Sequence, residues 1–124
     1  MSGRIVHFEI PFDDQDRASG FYEKAFGWQL ASMPGMGYTL ATTGPSGDTG
    51  PTEPGFINGG MVQRQEPITT PLITVDVDDI DAALAIIGEL GGSTVRGKEP
   101  VGDIGFAAYF TDSEGNLVGL WQTA

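Results

Sequence analysis

One pattern occurs twice along this chain, sixty-five positions apart. Asp13-Asp14-Gln15-Asp16 opens a stretch in which Ala18, Phe21, Tyr22 and Ala25 recur at helical spacing up to Gly27. Asp78-Asp79-Ile80-Asp81 opens another, in which Ala83, Ile86, Ile87 and Leu90 lead to Gly92. The segments ahead of them also correspond, with Phe8, Ile10 and Phe12 falling on Ile73, Val75 and Val77. A strand–helix unit repeated within 124 residues leaves few architectures open, and a fold made of two copies is expected to place its site between them.

The local signals fill in the rest of each copy. From Ile5 to Phe12 the chain alternates, with Val6, Phe8, Ile10 and Phe12 on one face and Ile5, His7 and Glu9 on the other, as a strand does. An aspartate, Asp13 or Asp14, caps the following helix and Gly27 stops it; the apolar spacing predicts that this helix buries one face against the strand. Strands are predicted at 28–31, 37–42 and 56–62, with a turn over Met33-Pro34-Gly35-Met36-Gly37. Between them, residues 44–55 hold glycine, proline and polar side chains with no apolar anchor, which predicts an irregular, mobile loop and a candidate lid. The second copy is predicted as strand 72–77, helix 79–90 and strands 93–96, 106–111 and 117–122, with a turn at 112–116. The last three strands of each copy suit an antiparallel meander. The fold class is therefore α+β: one domain over 1–124, made of two βαβββ modules at 1–63 and 71–124.

Composition narrows the partners. There are 17 acidic residues against six basic ones, for a net charge of −11. Such a field repels nucleic acid and anionic membranes and favours cationic ligands. Without cysteine, thiol nucleophiles and thiolate metal ligation are excluded. No apolar span or leader pattern appears, so the expectation is a cytoplasmic protein with no membrane partner.

Several segments carry a family likeness: His7-Phe8-Glu9-Ile10, the run from Phe21 to Trp28, Asn58-Gly59-Gly60-Met61, the run from Val75 to Ala83, and the ending from Phe110 to Trp121. Together they resemble the vicinal oxygen chelate superfamily, which includes glyoxalase I, extradiol dioxygenases, fosfomycin resistance enzymes and bleomycin-binding proteins. The resemblance implies strands curled into a sheet around a cavity, with the helices outside. Metalloenzymes of that group take ligands from the first and last strands of each half. Carried over, the first-strand positions are His7 and Leu72, and the last-strand positions are Gly119 and a counterpart near Gly60. Of these only His7 offers a donor, so no metal and no cofactor are expected, although Glu9 on the same strand face adds a carboxylate.

The candidate catalytic pair is His7 and Glu9. The candidate ligand-binding set is His7, Glu9, Asn58, Gly60, Thr74, Gly119 and Trp121. The glycines allow close approach of a ligand, and Trp121 offers a stacking surface. The expected function is metal-free binding of a cationic or planar small molecule, in the manner of bleomycin resistance proteins. The alternative is a glyoxalase-, isomerase- or dioxygenase-like enzyme with a divalent metal held partly by His7. A homodimer is expected, by resemblance and because two-fold dimers are common.

Overall fold

The structure is a computed structural model, and it describes residues 3–33, 35 and 37–124. The expected turn at 33–37 includes Pro34 and Met36, which lie outside the described residues, as do Met1 and Ser2. The architecture is α+β, with mixed strand pairing and two helices among the described residues. The chain divides into two compact units: His7–Pro71, and Leu72–Ala124 together with the opening residues up to Val6. No described helix is long and apolar enough to cross a membrane.

The first unit is built from β1 (Ile5–Phe12), α1 (Gln15–Phe26), β2 (Gln29–Met33), β3 (Tyr38–Thr42), β4 (Ser46–Gly47), β5 (Gly50–Pro51) and β6 (Gly59–Gln63). Its strands lie in the order β2-β3-β6-β1. The β2/β3 and β3/β6 pairs are antiparallel, which is the expected meander, while β6 returns to lie parallel to β1. The punctuation of α1 follows the sequence. Asp14 takes an extended conformation and accepts the Arg17 N–H at 3.0 Å, and Gly27 ends the helix at φ 76°. Asp13, the other possible cap, pairs instead with Arg64 at 2.9 Å.

The expected burial of α1 needs correction. None of its residues is buried, and Phe21 and Phe26 are 61% and 66% exposed. The helix meets the sheet through a narrower seam. Tyr22 stacks on Trp28 at 4.7 Å and Trp28 meets Phe8 at 5.6 Å, while Gln15 Nε2 donates to Thr39 Oγ1 at 2.9 Å. Of the face predicted from Ala18, Phe21, Tyr22 and Ala25, Tyr22 makes this aromatic contact, while Phe21 and Ala25 stay exposed.

The segment at 44–55, expected to be irregular, contains a second correction. β4 and β5 form a small hairpin in which Ser46 faces Pro51 and Gly47 faces Gly50. Thr52 returns its N–H and Oγ1 to the Pro45 carbonyl at 2.9 and 3.0 Å. The missing apolar anchor is Phe56, just beyond the segment, whose ring lies so close to Gly44 that a Cβ there would collide with it.

The second unit repeats the plan with β7 (Leu72–Asp76), α2 (Ile80–Glu89), β8 (Ser93–Val101), β9 (Gly105–Thr111) and β10 (Leu117–Thr123). Its order is β7-β10-β9-β8, with β7/β10 parallel and the other pairs antiparallel. The opening residues complete its edge: Gly3 N–H donates to the Asp76 carbonyl at 2.6 Å and Asp76 N–H to the Arg4 carbonyl at 2.8 Å. Asp79 caps α2 by accepting the Ala82 N–H at 3.1 Å, and Gln122 Oε1 accepts the Ile80 N–H at 2.9 Å. The helix stops at Glu89, earlier than the expected Leu90, and the left-handed turn falls on Gly91 at φ 99° rather than on Gly92. Ile80, Ala108 and Leu120 are buried together, with Val75, Val77, Leu84, Ile87, Phe106 and Phe110 packed around them. Ile73, assigned by parity to the same face, remains 43% exposed.

Candidate functional site

Strand register decides which side chains of the first unit share a face. Glu9 lies opposite Gly60 in the parallel β1/β6 pair, and Gly60 and Val62 lie opposite Leu40 and Tyr38 in the antiparallel β3/β6 pair. His7, Glu9, Gly60 and Tyr38 therefore stand on one side of the sheet, and Phe12, Thr39, Ala41 and Met61 are buried on the other. The Tyr38 ring leans across Gly60, where a Cβ would collide with both the ring and the hydroxyl. Glycine here makes room for a side chain of the protein itself. From that position the Tyr38 hydroxyl reaches His7 Nε2 at 2.6 Å, with the two rings nearly parallel at 12°.

Burial sets the ionisation of this pair. Desolvation lowers the His7 pKa below its ordinary 6.5, so the imidazole is neutral at pH 7. Desolvation, followed by the negative charge of Glu9, pushes the Tyr38 phenol well above its usual range, so it stays protonated. A neutral imidazole and a protonated phenol share one hydrogen bond: either the phenol donates to Nε2 or Nε2–H donates to the phenol oxygen. Glu9 is 6% exposed on the same face. Tyr38 did not figure among the residues singled out from the sequence. The only signal for it is the β3/β6 register, which a hairpin inside the connection conceals.

In the second unit the equivalent pairing is Thr74 opposite Gly119. Glu9 and Thr74 are one repeat apart, so the register identifies Gly60 as the counterpart of Gly119. Thr74 is buried, with Oγ1 2.8 Å from the point a Gly119 Cβ would occupy. Leu72, at the repeat position of His7, is buried as well. Trp121 is half-buried; its Nε1 donates to Thr123 Oγ1 at 3.1 Å and its indole lies over Gly105. Asn58 does different work. Its Oδ1 accepts the Thr43 N–H at 2.9 Å and its Nδ2 donates to Ser46 Oγ at 2.8 Å, which ties down the hairpin. His7, Glu9 and Gly60 thus gather on one face of the first unit, and Thr74, Gly119 and Trp121 on one face of the second.

This donor set does not fit the metal centre that the resemblance describes. Gly60, Leu72 and Gly119 carry no ligating atom, and the one imidazole is bonded through Nε2 to Tyr38. Among the described residues no group of three or more His, Asp or Glu side chains could hold a metal ion.

Comparison with known proteins points one way. Residues 4–44 match the family described as bleomycin resistance protein-like N-terminal. A glyoxylase-like domain-containing protein of Didymella fabae is 31% identical over 124 residues, an alignment covering 94% of this chain and 91% of the relative. The glyoxylase candidate CFP32 of Mycobacterium bovis is 34% identical over 120 residues, covering 92% of this chain. The chain spans 43% of the length of that relative. A Streptomyces coelicolor methylmalonyl-CoA epimerase variant in complex with 2-nitronate-propionyl-CoA superimposes with a TM-score of 0.65 at 18% identity, over 100% of this chain and 96% of the other.

Proposed function

The chain belongs to the vicinal oxygen chelate superfamily, and from that premise we propose that it is a metal-independent small-molecule-binding protein that sequesters a planar or cationic compound. The observation carrying this reading is the 2.6 Å bond between His7 and Tyr38 over Gly60. The only imidazole is committed to a phenol, and the space next to it is filled by a ring. The match to the bleomycin resistance-like family over 4–44 supports the binding role, and the net charge of −11 supports a cationic ligand. His7 and Glu9 are the ligand-contacting candidates of the first unit, and Thr74, Gly119 and Trp121 are those of the second.

Elemental analysis of protein purified without chelator tests the metal-free part. The expected result is no stoichiometric zinc, iron, manganese or nickel; one equivalent that disappears in His7→Ala would overturn it. A thermal-shift screen against metabolites and antibiotics tests the binding part, because a ligand specific for the folded state raises Tm.

One observation favours a second reading, that of an enzyme. A neutral imidazole, a protonated phenol and a buried carboxylate on one face are suited to proton transfer without a metal. Turnover of a glyoxalase or epimerase substrate that is lost in both His7→Gln and Tyr38→Phe would establish it over simple binding. A cytoplasmic homodimer is the state in which we place the protein; sedimentation as a monomer at micromolar concentration would remove the dimer.

A further inference from the structure

β8 is an irregular strand, and its irregularity has a direction. Ser93 faces Thr111 and Thr94 faces Phe110, so regular pairing would continue with Val95 opposite Tyr109 and Arg96 opposite Ala108. Ala108 is 1% exposed in the core beneath α2. The register instead shifts between Thr94 and Arg96, placing Arg96 opposite Tyr109, and it shifts again between Arg96 and Glu99. A strand bulge re-aims the side chains that follow it, and here it turns a guanidinium from the helix side of the sheet to the opposite face.

On that face Arg96 completes a row that crosses all four strands of the unit: Thr74, Gly119, Tyr109, Arg96. The guanidinium carbon lies 5.7 Å from the centre of the Tyr109 ring, within cation–π range. Gly119, itself buried, carries no side chain between Thr74 and Tyr109. Trp121, in the next row, inclines toward Gly105, on the side away from Gly119. In that next row Asp76 pairs with Trp121 and Glu99 lies one strand further, beyond Ala107; among the described residues neither forms an ion pair with Arg96. The chain has only six basic side chains, and the register shift between Thr94 and Arg96 brings this one to the face that holds the candidate ligand residues.

We propose that Arg96, turned by the β8 bulge onto the Thr74–Gly119–Tyr109 row, is the specificity-determining residue of the ligand site, and that the ligand is a planar compound bearing a carboxylate. The ring lies over Gly119 beside Trp121 and the carboxylate meets the guanidinium. Asp76 and Glu99 discriminate against anions that have no ring to place there. This rests on the binding reading above and selects the planar ligand class over the cationic one.

The test is an NMR titration of the whole chain with three probes: phenylacetate, benzylamine and inorganic phosphate. Phenylacetate is expected to shift the Trp121 indole N–H and the Gly119 amide. Arg96→Gln should weaken that binding by about tenfold or more, and Arg96→Lys by less, because a lysine keeps the charge but not the forked geometry. Arg96 is exposed on an edge strand, so an unchanged Tm for both variants will show that the fold is intact. Benzylamine or phosphate shifting the same resonances more tightly than phenylacetate would overturn the proposal, as would phenylacetate binding that Arg96→Gln leaves unchanged. If phenylacetate fails while another compound of the thermal-shift panel binds, the Arg96 assignment falls and the binding function stands. If nothing of any charge binds, both fall.

Discussion

The two repeats share a plan and differ in what they bury. In the second, α2 closes over an apolar cluster in which Ile80, Ala108 and Leu120 are 0–2% exposed. In the first, α1 buries none of its residues; Phe12, Ala41 and Met61 are buried in the sheet together with Thr39 at 1%, and Glu9 is 6% exposed on the opposite face. The opposite face differs in the same sense. Over Gly60 the first repeat places a phenol bonded to an imidazole, whereas the side chain nearest Gly119 in the second is a threonine. Duplication supplied two scaffolds; the second closes its helix over an apolar cluster, and the first leaves its helix largely in solvent and bonds an imidazole to a phenol on the other face of its sheet. Lower stability is a usual accompaniment of such a face, because buried polar groups contribute less than hydrocarbon unless fully paired.

The sharpest way to break this contrast is to truncate the second core. Ile80→Ala should cost about 2–5 kcal/mol in urea unfolding, since it leaves a void at a fully buried position. Next comes the matched glycine pair. Gly60→Ala forces a methyl into the Tyr38 ring and should cost about 1–3 kcal/mol, with Tyr38→Ala relieving part of that in a double-mutant cycle. Gly119→Ala meets only the Thr74 side chain, so its cost should be smaller; equal costs would mean that the two faces are packed alike. Asn58→Ala removes two hydrogen bonds that hold the β4–β5 hairpin and should cost about 1 kcal/mol. The smallest effect is expected at Phe21→Ala, within about 0.5 kcal/mol, because the ring is largely in solvent. A large loss there would show that α1 packs against something in solution.

Acid should also separate the repeats, through His7. Its folded pKa lies below the ordinary 6.5, so the unfolded chain binds the proton first as pH falls. The contribution of the neutral, buried imidazole is complete above 6.5 and is lost as pH falls from 6.5 through the lowered folded value. Unfolding curves at stepped pH should show this loss, and His7→Gln should flatten it. An unchanged slope would assign the acid sensitivity to carboxylates instead.

The repeat was legible in the sequence, and so were an aspartate cap and the Gly27 stop of α1, which act through their own backbone and near neighbours; the choice of Asp14 over Asp13 was not. The meander in each half was legible for the same reason. Burial of α1 was not: periodicity identifies an apolar face but does not say whether anything covers it, and here Tyr22 alone of that face stacks on Trp28 while Phe21 stays in solvent. The hairpin at 46–51 was missed because its anchors, Phe56 and Asn58, lie outside the glycine-rich run. Within the candidate site, the side of the sheet taken by His7 and Glu9 followed from parity. Tyr38 and Arg96 did not, because one depends on pairing across the hairpin and the other on a register shift that alternation alone cannot show.

The division of β1 has a consequence for how this chain is made. Gly3 and Arg4, just ahead of it, pair with Asp76, and its first residues up to Val6 belong to the second unit, while Phe8 to Phe12 pair with β6 in the first. A ribosome releases Gly3 and Arg4 long before the strand they bond to, so these residues wait through the synthesis of an entire repeat. A fragment begun at Leu72 would lack them, and one stopped at Pro71 would carry them without their partner. The repeats can be told apart by eye in the sequence, yet no single cut between them yields two finished pieces.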